Sequence, residues 1–223
     1  MKKQTKLDSN QSILLKNSKI LDMLNDKSST QDILIINGKI ADLGKIKNID
    51  NCIEIDCKNK IVTQAFIDIH AHLNTPGIGD QETLLSGSNS ALSGGYSKIC
   101  IMPDTNPIID TPELINFIFE QSNSLPIEIY PIGAITKSLK GIDIAELGSM
   151  INAGAIAISD ASNSLMNSQV ARYAIEYAKM FNVPFINHPE DKNLVNKGLM
   201  NESITSNNLG LAGNPSIAES IMV

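Results

Sequence analysis

The sequence predicts an α/β protein: a small N-terminal β segment, then strands and helices in alternation, which implies a parallel sheet with helices outside it. Three observations carry this expectation. Residues 12–61 are rich in β-branched runs and turn signals. From residue 62 onward, strand-length apolar runs alternate with helical patterns. All three histidines fall at the ends of predicted strands.

The elements follow in order. Residues 1–11 are polar, with Lys2, Lys3 and Lys6, and read as a disordered lead-in. In 12–61, Asp32-Ile-Leu-Ile-Ile36 is a β-branched run, and Asn37-Gly38 after it is the strongest short hairpin signal. Cys52-Ile-Glu-Ile-Asp56 alternates, and Asn59-Lys60 turns again, so the segment reads as a small β-sandwich or sheet. The second domain, 62–223, opens with a strand over 62–72 and a helix over 80–92, which Gly94-Gly95 would cap. A strand over 97–102 leads to a helix starting at Thr111-Pro112-Glu113. Thr suits the N-cap there, Pro the first helical position, and Glu the positive end of the dipole. A strand over 127–132 precedes a helix over 142–152. A strand over 155–159 precedes a helix over 168–181, where Val170, Ala174, Ile175 and Ala178 recur at helical spacing. A strand over 183–187 follows, and Asn214-Pro215 opens one more helix before Val223. That makes five β/α units, whose active site belongs at the C-terminal strand ends.

Composition bounds the function. With 42% apolar and 19% charged residues the chain has the make-up of a soluble globular protein. A net charge of −6 argues against nucleic acid or an anionic membrane as the main partner, since both reward basic surfaces. A small anionic substrate is not excluded. No apolar core of a secretory signal follows the N-terminus, and no run of about 18 apolar residues could span a membrane. Cys52, Cys57 and Cys100 are odd in number and lack C-x-x-C spacing, so they read as reduced thiols of a cytoplasmic protein.

The histidines carry the chemistry. In Phe66-Ile-Asp-Ile-His-Ala-His72, alternation puts Phe66, Asp68, His70 and His72 on one face, and apolar Ile67, Ile69 and Ala71 on the face under the helices. Two imidazoles at i and i+2 converge on one divalent ion, with Asp68 available to orient a ring. His188 ends the fifth strand, where it either reaches the same centre or caps a helix or faces solvent. Glu190-Asp191 beside it reads as a helix-start feature rather than a ligand. Asp160 ends the fourth strand, where a carboxylate either binds metal or caps the following helix; both readings stand. The loop Met102-Pro-Asp-Thr-Asn-Pro107 is a rigid turn, functional or structural. Lys137 reads as a solvated loop lysine.

Taken together, these motifs resemble the dihydroorotase family of cyclic amidohydrolases in its long-chain bacterial class, from about residue 13 to 223. The residues that carry the resemblance are Asp32-Ile-Leu-Ile-Ile-Asn-Gly-Lys39, Phe66-Ile-Asp-Ile-His-Ala-His-Leu73, Met102-Pro-Asp-Thr-Asn-Pro107, Pro131-Ile-Gly-Ala-Ile-Thr-Lys137, Asn187-His188-Pro-Glu-Asp191 and Met200-Asn-Glu202. The resemblance implies the first five units of a (β/α)8 barrel, a fold that takes about 250 residues when complete. It implies one or two zinc ions on His70, His72 and His188, with Asp160 as candidate carboxylate ligand. It further implies zinc-activated hydroxide interconverting N-carbamoyl-L-aspartate and dihydroorotate in pyrimidine biosynthesis. The family's acid/base aspartate and a further histidine would fall beyond Val223, so no catalytic acid/base residue is expected within the chain. A homo-oligomer is expected.

Three positions depart from the family pattern. Asn74 stands where the family has an arginine for the substrate carboxylate, and Asp104 where it has an asparagine for the same group. A like charge at about 4 Å costs roughly 4 kcal/mol at an effective dielectric of 20, about a thousandfold in affinity. Ala161 stands where the family has its metal-bridging aspartate, with Asp160 matching the neighbouring one. The departures resemble those of inactive relatives that support the assembly of aspartate transcarbamoylase. A neutral hydantoin- or allantoin-like substrate would also fit Asn74 and Asp104.

Overall fold

The computed structural model describes residues 12–22, 25–47, 49–77, 82–195 and 198–223, so the lead-in expected at 1–11 lies outside the described residues. The chain divides into two units, Met1–Ala65 and Phe66–Val223.

Five strands form the first unit: β1 (Ser12–Asp22), β2 (Lys27–Ile36), β3 (Lys39–Gly44), β4 (Cys52–Asp56) and β5 (Ile61–Val62). They make one sheet in the order β3-β2-β1-β4, with β5 also paired to β1. Among the described residues this is a single sheet, the second of the two forms expected. The reason is topological: β1 is long enough for β4 and β5 to share one of its edges, both parallel to it. The β2–β3 turn is the hairpin that Asn37-Gly38 promises, with φ of 50° and 71° at the two residues. Asp32 pins the sheet, its carboxylate accepting from Asn17 N at 2.9 Å and Ile46 N at 3.1 Å. Those backbone donors hold its carboxyl below the usual range.

The strand expected over 62–72 is therefore two strands. Val62 belongs to the first sheet, and the second unit starts with β6 (Phe66–Ala71). Then come α1 (Leu84–Ser93), β7 (Tyr96–Ile101), α2 (Pro112–Ser122), β8 (Glu128–Pro131), a 3-10 turn at Lys137–Leu139, α3 (Leu147–Asn152), β9 (Ile158–Ser159), α4 (Ser168–Phe181) and β10 (Phe185–Ile186). Strands β6, β7 and β8 pair in parallel, as do β9 and β10. A parallel bridge between Gly133 and Ile158 joins the two sets. A second short parallel pair, β11 (Met200–Asn201) and β12 (Gly213–Asn214), brackets α5 (Ile204–Asn208), and α6 (Ile217–Ser220) follows.

Alternation along the strands builds two cores. Ile99, Ile101, Ile129 and Ile158 pack with Ile115, Ile118, Leu147, Met150, Val170, Ala174 and Ala178 of the helices. Cys100, Met102, Ile132, Ala157 and Ala161 cluster separately. Helix α4 spans the expected residues, capped by the Asn167 side chain on Gln169 N and Val170 N and ended by left-handed Asn182. Helix α3 is shorter than expected because residues 143–145 pair with the loop after β8: Lys137 N bonds Asp143 O and Ala145 N bonds Ile135 O. Helix α1 starts at Leu84 with Thr83 as N-cap, later than the expected start at Asp80, which lies outside the described residues.

Candidate metal-binding site at the strand ends

His70 lies in β6 and His72 just beyond it. Between β6 and β7 the register runs Asp68 to Ile99 and Ala71 to Ile101, a shift of one residue. Paired residues of parallel strands share a face, so Asp68 and Ala71 both fall on the side of Ile99 and Ile101, the helix side. His70 and His72 flank Ala71 and take the opposite face together. The expectation that Asp68 shares their face and orients a ring is thereby corrected. Its Oδ1 instead accepts from the His70 backbone N at 2.9 Å.

The two imidazoles meet, His70 Nε2 lying 3.1 Å from His72 Nε2. Behind them stands Asp104, which reaches His72 Nδ1 with both carboxylate oxygens, at 2.9 and 2.8 Å. An ionised carboxylate only accepts, so the proton of His72 belongs on Nδ1 and its Nε2 keeps a lone pair facing His70. The backbone fixes this arrangement. Met102 N bonds Ala71 O at 2.9 Å, Asn106 N bonds Pro76 O at 3.0 Å, and Ile109 N closes the loop onto Pro103 O at 3.1 Å. Thr105 is buried beneath, its hydroxyl donating to Pro107 O at 2.8 Å. The loop over 102–107 is therefore a rigid turn that presents Asp104 to the neighbouring strand end. Asn74, two residues beyond His72, is exposed.

Asp160 is placed differently from the expectation that it serves the metal. It is 2% exposed and turned into the loop after β8. Its Oδ1 accepts from Ile135 N and Thr136 N, both at 2.9 Å, and its Oδ2 accepts from the Thr136 hydroxyl. Burial pushes its carboxyl above the ordinary value, against the opposing pull of those three donors. The Thr136 hydroxyl in turn accepts from Gly141 N at 2.9 Å. The sequence gives Thr136 no distinguishing mark as the residue that claims Asp160. Ala161 beside it is buried, with φ of 52°.

His188 follows β10, its Nε2 3.4 Å from Glu190 Oε2. Asp191 accepts from Asn193 N and Leu194 N, so it caps a turn rather than the expected helix start. Lys137 is exposed. Among the described residues, no group of three or more His, Cys, Asp or Glu side chains gathers closely enough to hold a metal ion. Of the residues singled out in the sequence, the structure thus brings His70, His72 and Asp104 together, and leaves Asp160 and His188 engaged elsewhere. No described helix is long and apolar enough to cross a membrane.

Comparison with known proteins places the chain among relatives. A family profile described as dihydro-orotase-like matches residues 59–223. A dihydroorotase of Caldicellulosiruptor saccharolyticus is 42% identical over 95% of this chain and 50% of its own length. One of Ruminiclostridium cellulolyticum is 37% identical over the same shares. The chain spans about half the length of the curated relatives it matches. Among solved structures, the L-hydantoinase (dihydropyrimidinase) from Arthrobacter aurescens is similar with a TM-score of 0.69, at 20% identity over 83% of this chain and 42% of that one. A dihydroorotase crystal structure is similar with a TM-score of 0.56, at 15% identity over 80% and 52%. At these identities the structural likeness speaks for the α/β fold alone.

Proposed function

The chain belongs to the dihydroorotase-like family, and from that premise we propose that it is the first half of a (β/α)8 amidohydrolase barrel. In its full-length form the barrel interconverts N-carbamoyl-L-aspartate and dihydroorotate. The observation that carries the reading is the convergence of His70 Nε2 and His72 Nε2 at 3.1 Å at the C-terminal end of β6. Two nitrogens bound to one tetrahedral zinc at about 2.0–2.1 Å lie about 3.3 Å apart, so this pair fits such an ion with little movement. His188 is the third proposed nitrogen donor. Its ring is about half exposed, with Nε2 3.4 Å from Glu190 Oε2. Asp160, with both oxygens committed, is left to hold the loop after β8.

Bound there, a zinc ion would polarise the ring amide and lower the pKa of a water. The chain's own residues do the rest on this side of the site. His72 keeps its lone pair forward because Asp104 fixes its proton behind. Asn74 offers an amide where the substrate carboxylate is expected. The free thiols of Cys52, Cys57 and Cys100 fit action in the cytoplasm.

A second reading is a non-catalytic partner of aspartate transcarbamoylase, favoured by the burial of Asp160 in its loop and by Ala161 at the bridging position. Turnover of N-carbamoyl-L-aspartate and dihydroorotate by the full-length gene product, with zinc quantified in the same sample, separates the two. Turnover with stoichiometric zinc is expected. Folded protein with neither zinc nor turnover would overturn the enzymatic reading and favour the structural one.

A further inference from the structure

We infer that Asp104 is a positioning residue for the metal-binding face of His72. The inference rests on the proposal that His70 and His72 hold a divalent metal, and it deepens that proposal.

Asp104 sits at the position where the family resemblance puts a substrate contact. Both its oxygens lie against His72 Nδ1, at 2.9 and 2.8 Å. The loop that holds it is tied down: residues 102–107 bond to the end of β6 through Met102 N on Ala71 O and to the chain beyond it through Asn106 N on Pro76 O. A neutral imidazole carries one proton on either nitrogen, and the two tautomers differ little in energy in water. A carboxylate at Nδ1 decides between them. It traps the proton there and leaves Nε2 as a pure donor of its lone pair, which is the form a metal needs. Asparagine at this position would not impose the same choice, since its amide can turn to present either a donor or an acceptor. Aspartate at this position therefore selects the tautomer that a metal on Nε2 requires.

A consequence follows for the substrate. The negative charge of Asp104 faces the rear of His72, where the proton on Nδ1 and a cation ahead of Nε2 both offset it. Its repulsion of an anionic substrate is thereby smaller than bare placement in the pocket would give.

The test uses full-length protein, metal-free and zinc-loaded, as wild type and as Asp104→Asn and Asp104→Glu. The first readout is the 15N NMR spectrum of the histidine rings in metal-free protein, with His72 assigned by its loss in His72→Gln. Wild type is expected to show one fixed tautomer with the proton on Nδ1. Asp104→Asn should show a mixture of tautomers, and Asp104→Glu should restore the fixed form at least in part. The second readout is zinc affinity by competition with a chromogenic chelator. Asp104→Asn is expected to weaken it about 10- to 100-fold. Unchanged tautomer and unchanged zinc affinity in Asp104→Asn would overturn the inference. If wild type binds no zinc, the metal reading fails, and the NMR readout still decides whether Asp104 sets the tautomer.

Discussion

Asp160 shows how one buried carboxylate can be claimed by its fold. Two backbone N–H groups and one hydroxyl end on it, and each would be a buried, unsatisfied donor without it. Asp160→Ala is expected to cost about 2–4 kcal/mol in urea unfolding, while Asp160→Asn, which keeps one acceptor oxygen, should cost less than about 1.5 kcal/mol. The pH dependence has a definite sign. Burial raises the folded-state pKa above the unfolded value, so the protonated form favours the fold. That contribution is fully present below the unfolded pKa, about 3.9, and is lost as pH rises through the raised folded value. Asp160→Asn does not titrate. The stability gap between wild type and Asp160→Asn should therefore narrow from pH 4 to pH 7, and a gap that widens would show that the ionised form is the one the loop prefers. The paired histidines of the site could be read from their spacing, because a strand's period of two puts i and i+2 together whatever surrounds it. The partners of Asp104 and Asp160 could not. They depend on which strand ends lie side by side and on a one-residue register shift between Asp68 and Ala71, and neither leaves a mark in the local sequence.

Among the elements, α4 was legible to the residue and α3 was not, and the difference is physical. Helix α4 carries its own start, stop and buried stripe: Asn167, Asn182, and Val170, Ala174 and Ala178. Residues 142–146 have a helical pattern too, but the loop after β8 captures them through Ile135 and Lys137, a tertiary contact that outweighs weak local propensity. The two ends of α4 give a quantitative check. Asn167→Ala removes a side-chain cap and should cost about 1 kcal/mol. Asn182→Ala places a less tolerant side chain at φ of 54° and should cost about 1 kcal/mol as well. The sites are about 22 Å apart along the axis, so the double variant should lose the sum within about 0.5 kcal/mol in urea melts. A double variant that loses clearly more would mean that the helix ends are coupled through the strands it packs on.

At the scale of the whole molecule, the five parallel strands of the second unit run in chain order and β6 is the first of them. Among the described residues, no strand pairs along its other edge. Phe66, Ile67 and Ile69 are 56%, 56% and 68% exposed, although such residues at an edge invite pairing with another chain. Ile67 pairs in register with Lys98, which puts it on the face away from the helices, the face that a closed barrel would fill. The barrel reading therefore makes a demand on the longer protein, whose relatives are about twice the length of this chain: a further strand must pair along β6, and further side chains must bury Ile67 and Ile69. Burying an isoleucine is worth about 1.5–3 kcal/mol. Replacing both with lysine in the full-length protein would forfeit that gain and force two ammonium groups to find water. The expected loss is more than about 3 kcal/mol, read by urea unfolding, with dye binding to exposed apolar surface increased. If β6 is instead a solvent-facing edge in the full-length protein, the same double substitution changes stability by no more than about 0.5 kcal/mol per site. It would then suppress self-association, and the closed barrel would have to be abandoned for an open sheet.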